Sequence, residues 1–261
     1  MFADRERYFE ALAETARSCY RPYIARFRET GPDAAVLEVG CGEGGNLLPF
    51  AEAGLDVTGI DLSPNKIRNA RTYFEKRGVR GTFDVRDFLD EGTDLGGRTF
   101  DLILVHDVIE HIEPEGKDLF FERLKRFLKP GGLVFWGFPA WQMPFGGHQQ
   151  ICRSKACSLP FLHLLPRGLY ERWLKVFKEN PETIRDLMSI RRSQMTVERF
   201  EGLCRRHGYR IEDRILWLIN PHYKAKFGLT PRRLPRWIAA VPRVRNCFST
   251  ACFYLTSFYG D

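Results

Sequence analysis

The chain has 261 residues, of which 44% are hydrophobic and 28% charged, with a formal net charge of +7. That size and balance suit one large soluble α/β domain with additions, able to bury a core without disulfide or metal staples. No stretch approaches the roughly 20 apolar residues that a membrane span needs. The seven cysteines, Cys19, Cys41, Cys152, Cys157, Cys204, Cys247 and Cys252, are odd in number and lack CxxC spacing, so they read as reduced thiols of a cytoplasmic protein.

Residues 1–30 read as one or two helices, the charged MFADRERYFEALAETAR being amphipathic rather than a secretory leader. Ala34–Val39 is a short apolar run ending in glycines, as expected of a buried parallel strand. Asn46–Ala53 is helical and Leu55–Ile60 is a second strand. Ser63 caps a helix that has Pro64 in its first position and stops at Gly78. Thr82–Val85 and Phe100–Val105 are the third and fourth strands. Lys117–Leu128 is an amphipathic helix ending at the turn Lys129-Pro130-Gly131-Gly132, and Leu133–Phe138 is the fifth strand. This alternation predicts a doubly wound, mostly parallel sheet with helices on both faces.

After Phe138 the pattern breaks. Residues 139–194 carry prolines, aromatics and short helical pieces such as Leu169–Glu179. Thr196 then caps a helix to Arg206, Arg210–Ile219 is a strand, and a last strand is expected over Cys247–Phe258. The chain therefore reads as a single domain, 1–261. Its parts are N-terminal helices (1–30), a ligand-binding core (31–138), an insertion after strand five (139–194), and a C-terminal part of the sheet with a basic segment (195–261). The insertion follows a strand's carboxyl end, the side on which open α/β sheets bind ligands.

Val36-Leu37-Glu38-Val39-Gly40-Cys41-Gly42-Glu43-Gly44-Gly45-Asn46 places glycines between a strand and a helix, where the backbone can turn sharply and approach a ligand. Gly40-x-Gly42-x-x-Gly45 by itself also fits a dinucleotide fingerprint, and Asp61 at the end of the second strand suits ribose hydroxyls under either reading. Glu38 separates them. It repels a pyrophosphate but suits a cationic ligand such as the amino group of S-adenosylmethionine. Asp87-Phe88, after the third strand, offers an acid and an aromatic to an adenine.

These motifs together resemble the class I S-adenosylmethionine-dependent methyltransferases, in particular the ubiquinone and menaquinone methyltransferase branch. The resemblance rests on VLEVGCGEGG, GIDLSP, DVRDF, FDLILVHDVIEHI and LKPGGLVFWGFP, and covers about residues 30–140 strongly and 196–219 weakly. It implies a Rossmann-like seven-stranded sheet with a helical lid over 139–194, and S-adenosylmethionine as cofactor, leaving S-adenosylhomocysteine. It implies that Glu38, Gly40, Cys41, Gly42 and Asn46 flank the methionine part. Asp61 would accept from the ribose hydroxyls with Leu62 beside the adenine, Asp87 would take the adenine amino group, and Phe88 would contribute its backbone. His106 would sit near the cofactor.

Methyl transfer needs an acceptor held in line with the sulfonium, and an oxygen or nitrogen nucleophile can also need a base. His148, in the polar Gly146-Gly147-His148-Gln149-Gln150, is the first candidate, and His111 the second. Asp107, Glu110 and His111 form D-x-x-E-H, which on a helix would face one side and suit a divalent metal. Metal is the less favoured reading, because E-H-I also occurs in metal-free relatives. Within the insertion, Trp141, Phe145, Phe161, Trp173 and Phe177 with Arg153, Arg191 and Arg192 suit a small or lipid-like acceptor.

From Trp217 onward there are seven basic residues, Lys224, Lys226, Arg232, Arg233, Arg236, Arg243 and Arg245, and Asp261 is the sole acid, which favours an anionic surface. Two other functions compete with a small-molecule methyltransferase. One is nucleic-acid methylation, and the other is a cofactor-binding protein without activity.

Overall fold

The computed structural model describes residues 2–28, 31 and 33–258, with side chains from Asp4 onward; the predicted basic segment's Asp261 lies outside them. An eight-stranded sheet runs through the molecule in the order β3-β2-β1-β4-β5-β8-β6-β7. The strands are β1 (Ala35–Val39), β2 (Asp56–Asp61), β3 (Thr82–Val85), β4 (Phe100–His106), β5 (Leu128–Phe138), β6 (Arg210–Ile219), β7 (Arg232–Arg233) and β8 (Ala251–Ser257). β1 to β5 are mutually parallel, and β8 lies antiparallel between β5 and β6. The eighth strand, absent from the seven-stranded expectation, is the two-residue β7 against β6. Two residues carry no periodicity, so no sequence pattern reveals it.

The helices are α1 (Phe2–Thr15), α2 (Arg21–Ala25), α3 (Leu48–Glu52), α4 (Pro64–Lys76), α5 (Lys117–Phe127), α6 (Arg167–Val176), α7 (Pro181–Ser193), α8 (Val197–Arg206), α9 (His222–Phe227), α10 (Arg236–Ala239) and α11 (Val244–Phe248). The Ser63 hydroxyl accepts from Lys66 N–H at the start of α4, and the Thr196 hydroxyl from Arg199 N–H at the start of α8, as their caps predict. Successive strand residues face opposite sides, so two cores form. Leu37, Ile103, Val134 and Trp136 pack with Phe120, Phe121 and Phe200 on one face. Val36, Leu102, Leu104 and Phe135 pack with Phe9, Tyr20, Tyr73 and Phe74 on the other.

Three expectations need correction. Lys129–Gly132 does not end before β5 but bulges within it, the register shifting between Phe100 and Leu102 of β4. The last strand begins at Ala251, because Val244–Phe248 forms α11 instead. The D-x-x-E-H segment is a turn, not a helix, and Asp107 enters it at φ 53°. What positions the site is the strand order. β2 and β3 lie to one side of β1, and β4 and β5 to the other, so the chain reverses direction across the sheet between β1 and β4. The crevice beyond their carboxyl ends is where such sheets bind ligands.

Candidate active site

Gly40 follows β1 in the left-handed region at φ 71°, and a Cβ there would overlap the Val108 side chain from the β4 loop. Only glycine lets the two loops approach this closely. Gly40 and Cys41 N–H both donate to Ile60 O, at 2.8 and 2.9 Å, tying the loop to β2. Gly42, at φ 57°, donates its N–H to Asp61 Oδ2 at 2.9 Å, and Ser63 N–H donates to Asp61 Oδ1 at 2.8 Å. The Asp61 carboxylate is thus held by two backbone donors, with lone pairs left for further donors. Gly45 meets α1, since a Cβ there would lie 2.6 Å from Phe9 O.

A cavity of about 670 Å³ opens at this point, with Asp61, Leu62, Asp87 and Phe88 on one wall and Asp107, Val108 and His111 on the other. Leu62 is the exposed rim, whereas the Phe88 ring packs against Phe120 and Phe127. That ring position leaves the Phe88 backbone, not its aromatic face, as the natural contact. Asp87 Oδ1 accepts from Leu89 N–H at 2.9 Å. Glu182 and Asp186 of α7 close the outer side.

A second cavity, of about 430 Å³, shares Gly40, Lys66 and Asp107 with the first and continues past Gly42 and Asn46 to His106, roofed by Arg5 and Tyr8 of α1. Glu38 is buried behind it. Its Oε1 accepts from Asn46 Nδ2 at 2.7 Å, while Oε2 is buried without a partner. Burial pushes its carboxyl up to about 8, against the lowering effect of the Asn46 hydrogen bond. A buried carboxyl with one free oxygen, next to a glycine loop, fits an arriving cation and is costly without one. Cys41 is buried with Sγ against Gly59, so its side chain supports the loop rather than facing a ligand.

His106 ends β4, hydrogen-bonded through Nε2 to Tyr20 Oη at 2.8 Å, with Nδ1 3.4 Å from Asp107 Oδ2. Across Asp107 lie the two histidines singled out from the sequence. The His111 and His148 rings meet edge to face at 4.8 Å. Burial lowers the pKa of both, His111 to about 4, so both are neutral near pH 7. His148 Nε2 lies 3.7 Å from Glu110 Oε1, and neither Glu110 oxygen has a hydrogen-bond partner. Burial, with Asp107 nearby, raises the Glu110 carboxyl well above its ordinary value, which works against an ion pair at this contact. Glu110, His111 and His148 each bring a donor atom within 4.8 Å of the others, and Asp107 stands outside that group.

His148 reaches this place at φ 56°, after Gly147, where a Cβ would overlap His163. Gln149 does not face the site. It is buried and donates to Pro144 O and Leu159 O, holding the loop. The predicted acceptor-lining aromatics do not converge either. Trp141 is buried against His163, Trp173 and Phe177 pair on the exposed side of α6, and Arg192 is bound to Glu113. None of them lines the two cavities. Residues that sequence reasoning missed come from far along the chain: Tyr8, Tyr20 and His222. His222 Nδ1 lies 3.2 Å from Thr15 Oγ1, and its ring meets Tyr8 edge to face at 5.8 Å. The amphipathic pattern of α1 hinted at Tyr8, and no local pattern pointed to Tyr20 or His222.

Comparison with known proteins agrees with this geometry. Residues 36–132 match the sequence model of the family described as "Methyltransferase domain". A ubiquinone biosynthesis O-methyltransferase of Chelativorans sp. is 39% identical over 100 residues, a match spanning 38% of this chain and 38% of that protein. A solved S-adenosylmethionine-dependent methyltransferase from Clostridium acetobutylicum superposes with a TM-score of 0.59 at 12% identity, over 97% of this chain and 92% of that one. Magnesium protoporphyrin IX methyltransferase from Synechocystis, solved with bound S-adenosylhomocysteine, gives 0.56 at 14% identity, over 95% and 83% of the two chains. Glycine loop, strand order and family match converge: residues 36–132 match a methyltransferase domain, within a fold shared with solved S-adenosylmethionine-dependent methyltransferases.

Proposed function

We propose that the chain transfers a methyl group from S-adenosylmethionine to an oxygen or nitrogen of a small or lipid-like acceptor docking beside Asp107 and His148. The observation that carries this reading is the pair of carboxyls at the glycine loop. Glu38 is buried with one oxygen free, and Asp61 is aimed by two backbone N–H groups into the adjoining cavity. In this reading Glu38 holds the amino group, with Gly40, Cys41, Gly42 and Asn46 shaping the methionine end and His106 behind it. Asp61 accepts from the ribose hydroxyls, Leu62 covers the adenine edge, and Asp87 with the Phe88 backbone receives the adenine amino group.

When bound, the cofactor supplies the electrophilic methyl and the thioether leaving group. The protein's part is to hold the acceptor about 3 Å from that methyl and to take its proton. Neutral His148 has a buried, unpartnered Nε2 that can accept that proton, and His111 fixes its ring from the side. Residues 139–194 act as the lid of a single domain spanning 1–261, carrying His148 and, through α7, the outer wall of the cavity. Thermal melting tests the cofactor assignment. S-adenosylhomocysteine should raise Tm in a concentration-dependent way, and NADH should not. The reverse pattern sinks the reading.

A second reading has its own observation, the Glu110, His111 and His148 cluster with both Glu110 oxygens unpartnered. Such a donor set fits a divalent cation of the magnesium or manganese kind, which would hold and polarise an acceptor oxygen. A chelator then abolishes turnover of the wild type and added magnesium or manganese restores it. Full activity in the chelator returns His148 to the role of base.

A further inference from the structure

Lys117 is the first residue of α5, and it is buried. Both facts work against a lysine. A cation at a helix amino terminus opposes the macrodipole, and an ammonium taken out of water must find a partner for every donor. Lys117 finds them. Its Nζ donates to Ile109 O at 2.6 Å, to Ile112 O at 2.7 Å and to Ser193 Oγ at 2.8 Å, which accounts for all three N–H groups. Burial lowers its pKa to about 8, so the ammonium that makes three donations is the form present near pH 7.

The three acceptors belong to two segments that the fold brings together at this point. Ile109 and Ile112 bracket Glu110 and His111 in the turn after β4, and their own side chains are buried in the core beside Phe120 and Phe121. Ser193 is the last residue of α7, at the return end of the insertion. A second cation meets that end. Arg199 Nη1 of α8 donates to Ser193 O at 2.9 Å and to Gln194 O at 3.1 Å, and cations suit a helix carboxyl terminus.

Glu182, Asp186, Ser189 and Ser193 recur along α7 at helical spacing, on one face. Their contacts follow that face. Glu182 and Asp186 wall the first cavity, Ser189 Oγ donates to Glu113 Oε1 at 2.6 Å, and Ser193 meets Lys117. The face therefore runs beside the turn, from the cavity to the buried ammonium. Lys117 itself lines neither cavity. We infer that Lys117 is a positioning residue for methyl transfer: its ammonium locks the turn carrying His111 to the end of α7, so that the His111–His148 pair and the wall made by Glu182 and Asp186 stay aligned. The inference rests on the methyl-transfer reading for the chemistry that the lock serves.

Amide hydrogen exchange of the full chain, read by mass spectrometry, tests the lock. Lys117→Met should speed exchange about hundredfold both in the turn over 107–113 and in α7, with β1, β2 and the glycine loop at the wild-type rate. Ser193→Ala leaves the ammonium on its two carbonyls and should speed α7 about tenfold, which keeps the test open if Lys117→Met does not fold. The double variant should exchange no faster than Lys117→Met alone, because the bond joining the two residues is already gone. Both single variants should lower kcat about tenfold or more, with KM for S-adenosylmethionine held within about twofold. Wild-type exchange in either segment of Lys117→Met or in α7 of Ser193→Ala, additive effects in the double variant, or kcat at the wild-type value overturns the inference. The predicted exchange pattern in a chain whose wild type shows no S-adenosylhomocysteine melting shift leaves the lock standing and removes the methyl-transfer reading instead.

Discussion

In the core over 35–138, the loops that form the site leave strand ends and are pinned by backbone hydrogen bonds, as Gly40 and Cys41 are to Ile60. Between 139 and 194 there is no strand. Two helices and short turns instead enclose a separate small core of Cys152, Cys157, Tyr170, Leu174, Leu187 and Met188. The insertion touches the core through polar bonds, among them Lys117 Nζ to Ser193 Oγ at 2.8 Å and Ser189 Oγ to Glu113 at 2.6 Å, through the His111–His148 ring contact, and through Ala140, which is buried in the main core. The glycine loop and Asp61 are therefore held by the sheet, while the insertion encloses a core of its own and lends Glu182 and Asp186 to the cavity wall. That division suits a domain that keeps one cofactor and varies its acceptor.

The sharpest way to break this contrast is to remove the insertion side chain that we propose takes the acceptor's proton. His148→Ala should lower kcat by about 10²–10⁴ while leaving S-adenosylhomocysteine affinity close to wild type. His148→Asn recovers part of the loss if the role is hydrogen bonding and none if it is proton removal. Near-normal kcat/KM in His148→Ala would make the residue structural and leave the insertion without a catalytic part.

The converse change lies in the core. Asp61→Ala should weaken S-adenosylhomocysteine binding by about 10–100-fold by calorimetry, since hydrogen bonds to a charged group are worth about 1.5–3 kcal/mol each. It also frees the Gly42 and Ser63 N–H groups, so Asp61→Asn separates ligand contact from loop support. Unchanged affinity in both variants would remove Asp61 from the site.

A smaller effect belongs to Glu38. With its carboxyl raised to about 8 by burial, the free protein keeps that proton at neutral pH. A raised carboxylate adds stability below its unfolded pKa and loses it as pH rises toward 8. Binding of a cation that needs the ionised form has the opposite slope. Affinity for S-adenosylhomocysteine should rise between about pH 6 and 8, by at most tenfold per unit, with a proton released on binding. A flat profile, or proton uptake, contradicts the placement of the amino group at Glu38.

The smallest effect tests how the insertion is attached. Arg192 donates from Nε to Glu113 Oε2 at 2.9 Å, but both side chains are more than a third exposed. Arg192→Ala should cost no more than about 1 kcal/mol and lower Tm by about 2–4 °C at most. If the variant instead exposes 139–194 to proteolysis while the rest stays intact, the insertion depends on its tether and not on its own core.

What the sequence made legible follows the same division. VLEVG before a glycine turn, Asp61 ending an apolar strand and Ser63-Pro64 opening a helix are local patterns, and local geometry realises them as read. Position 107 was not legible, because a single non-glycine residue at φ 53° turns a helical spacing into a turn. α7 carried its marks, Asn180 accepting from Glu182 N–H with Pro181 in the first turn, but they were buried in a stretch read as irregular. Tyr20 beside His106 and His222 beside Thr15 could not be read at all, since nothing local in one segment announces the other. For the acceptor side, aromatic content alone misled: Trp141, Trp173 and Phe177 build or decorate the insertion instead of lining the cavity.

The crossing of α1 over the glycine loop sets an order of events during synthesis. Phe9 backs Gly45, Arg5 pairs with Glu43 at 3.1 Å, and Thr15 waits for His222, 207 positions later. While the chain leaves the ribosome, α1 can meet the loop early but lacks its α9 neighbour until nearly the whole of this sequence has emerged. A nascent chain halted before β6 would hold the glycine turn with its roof only half anchored. Competence to retain a cofactor should therefore appear late and abruptly along the growing chain, when α9 arrives to clamp α1 in place.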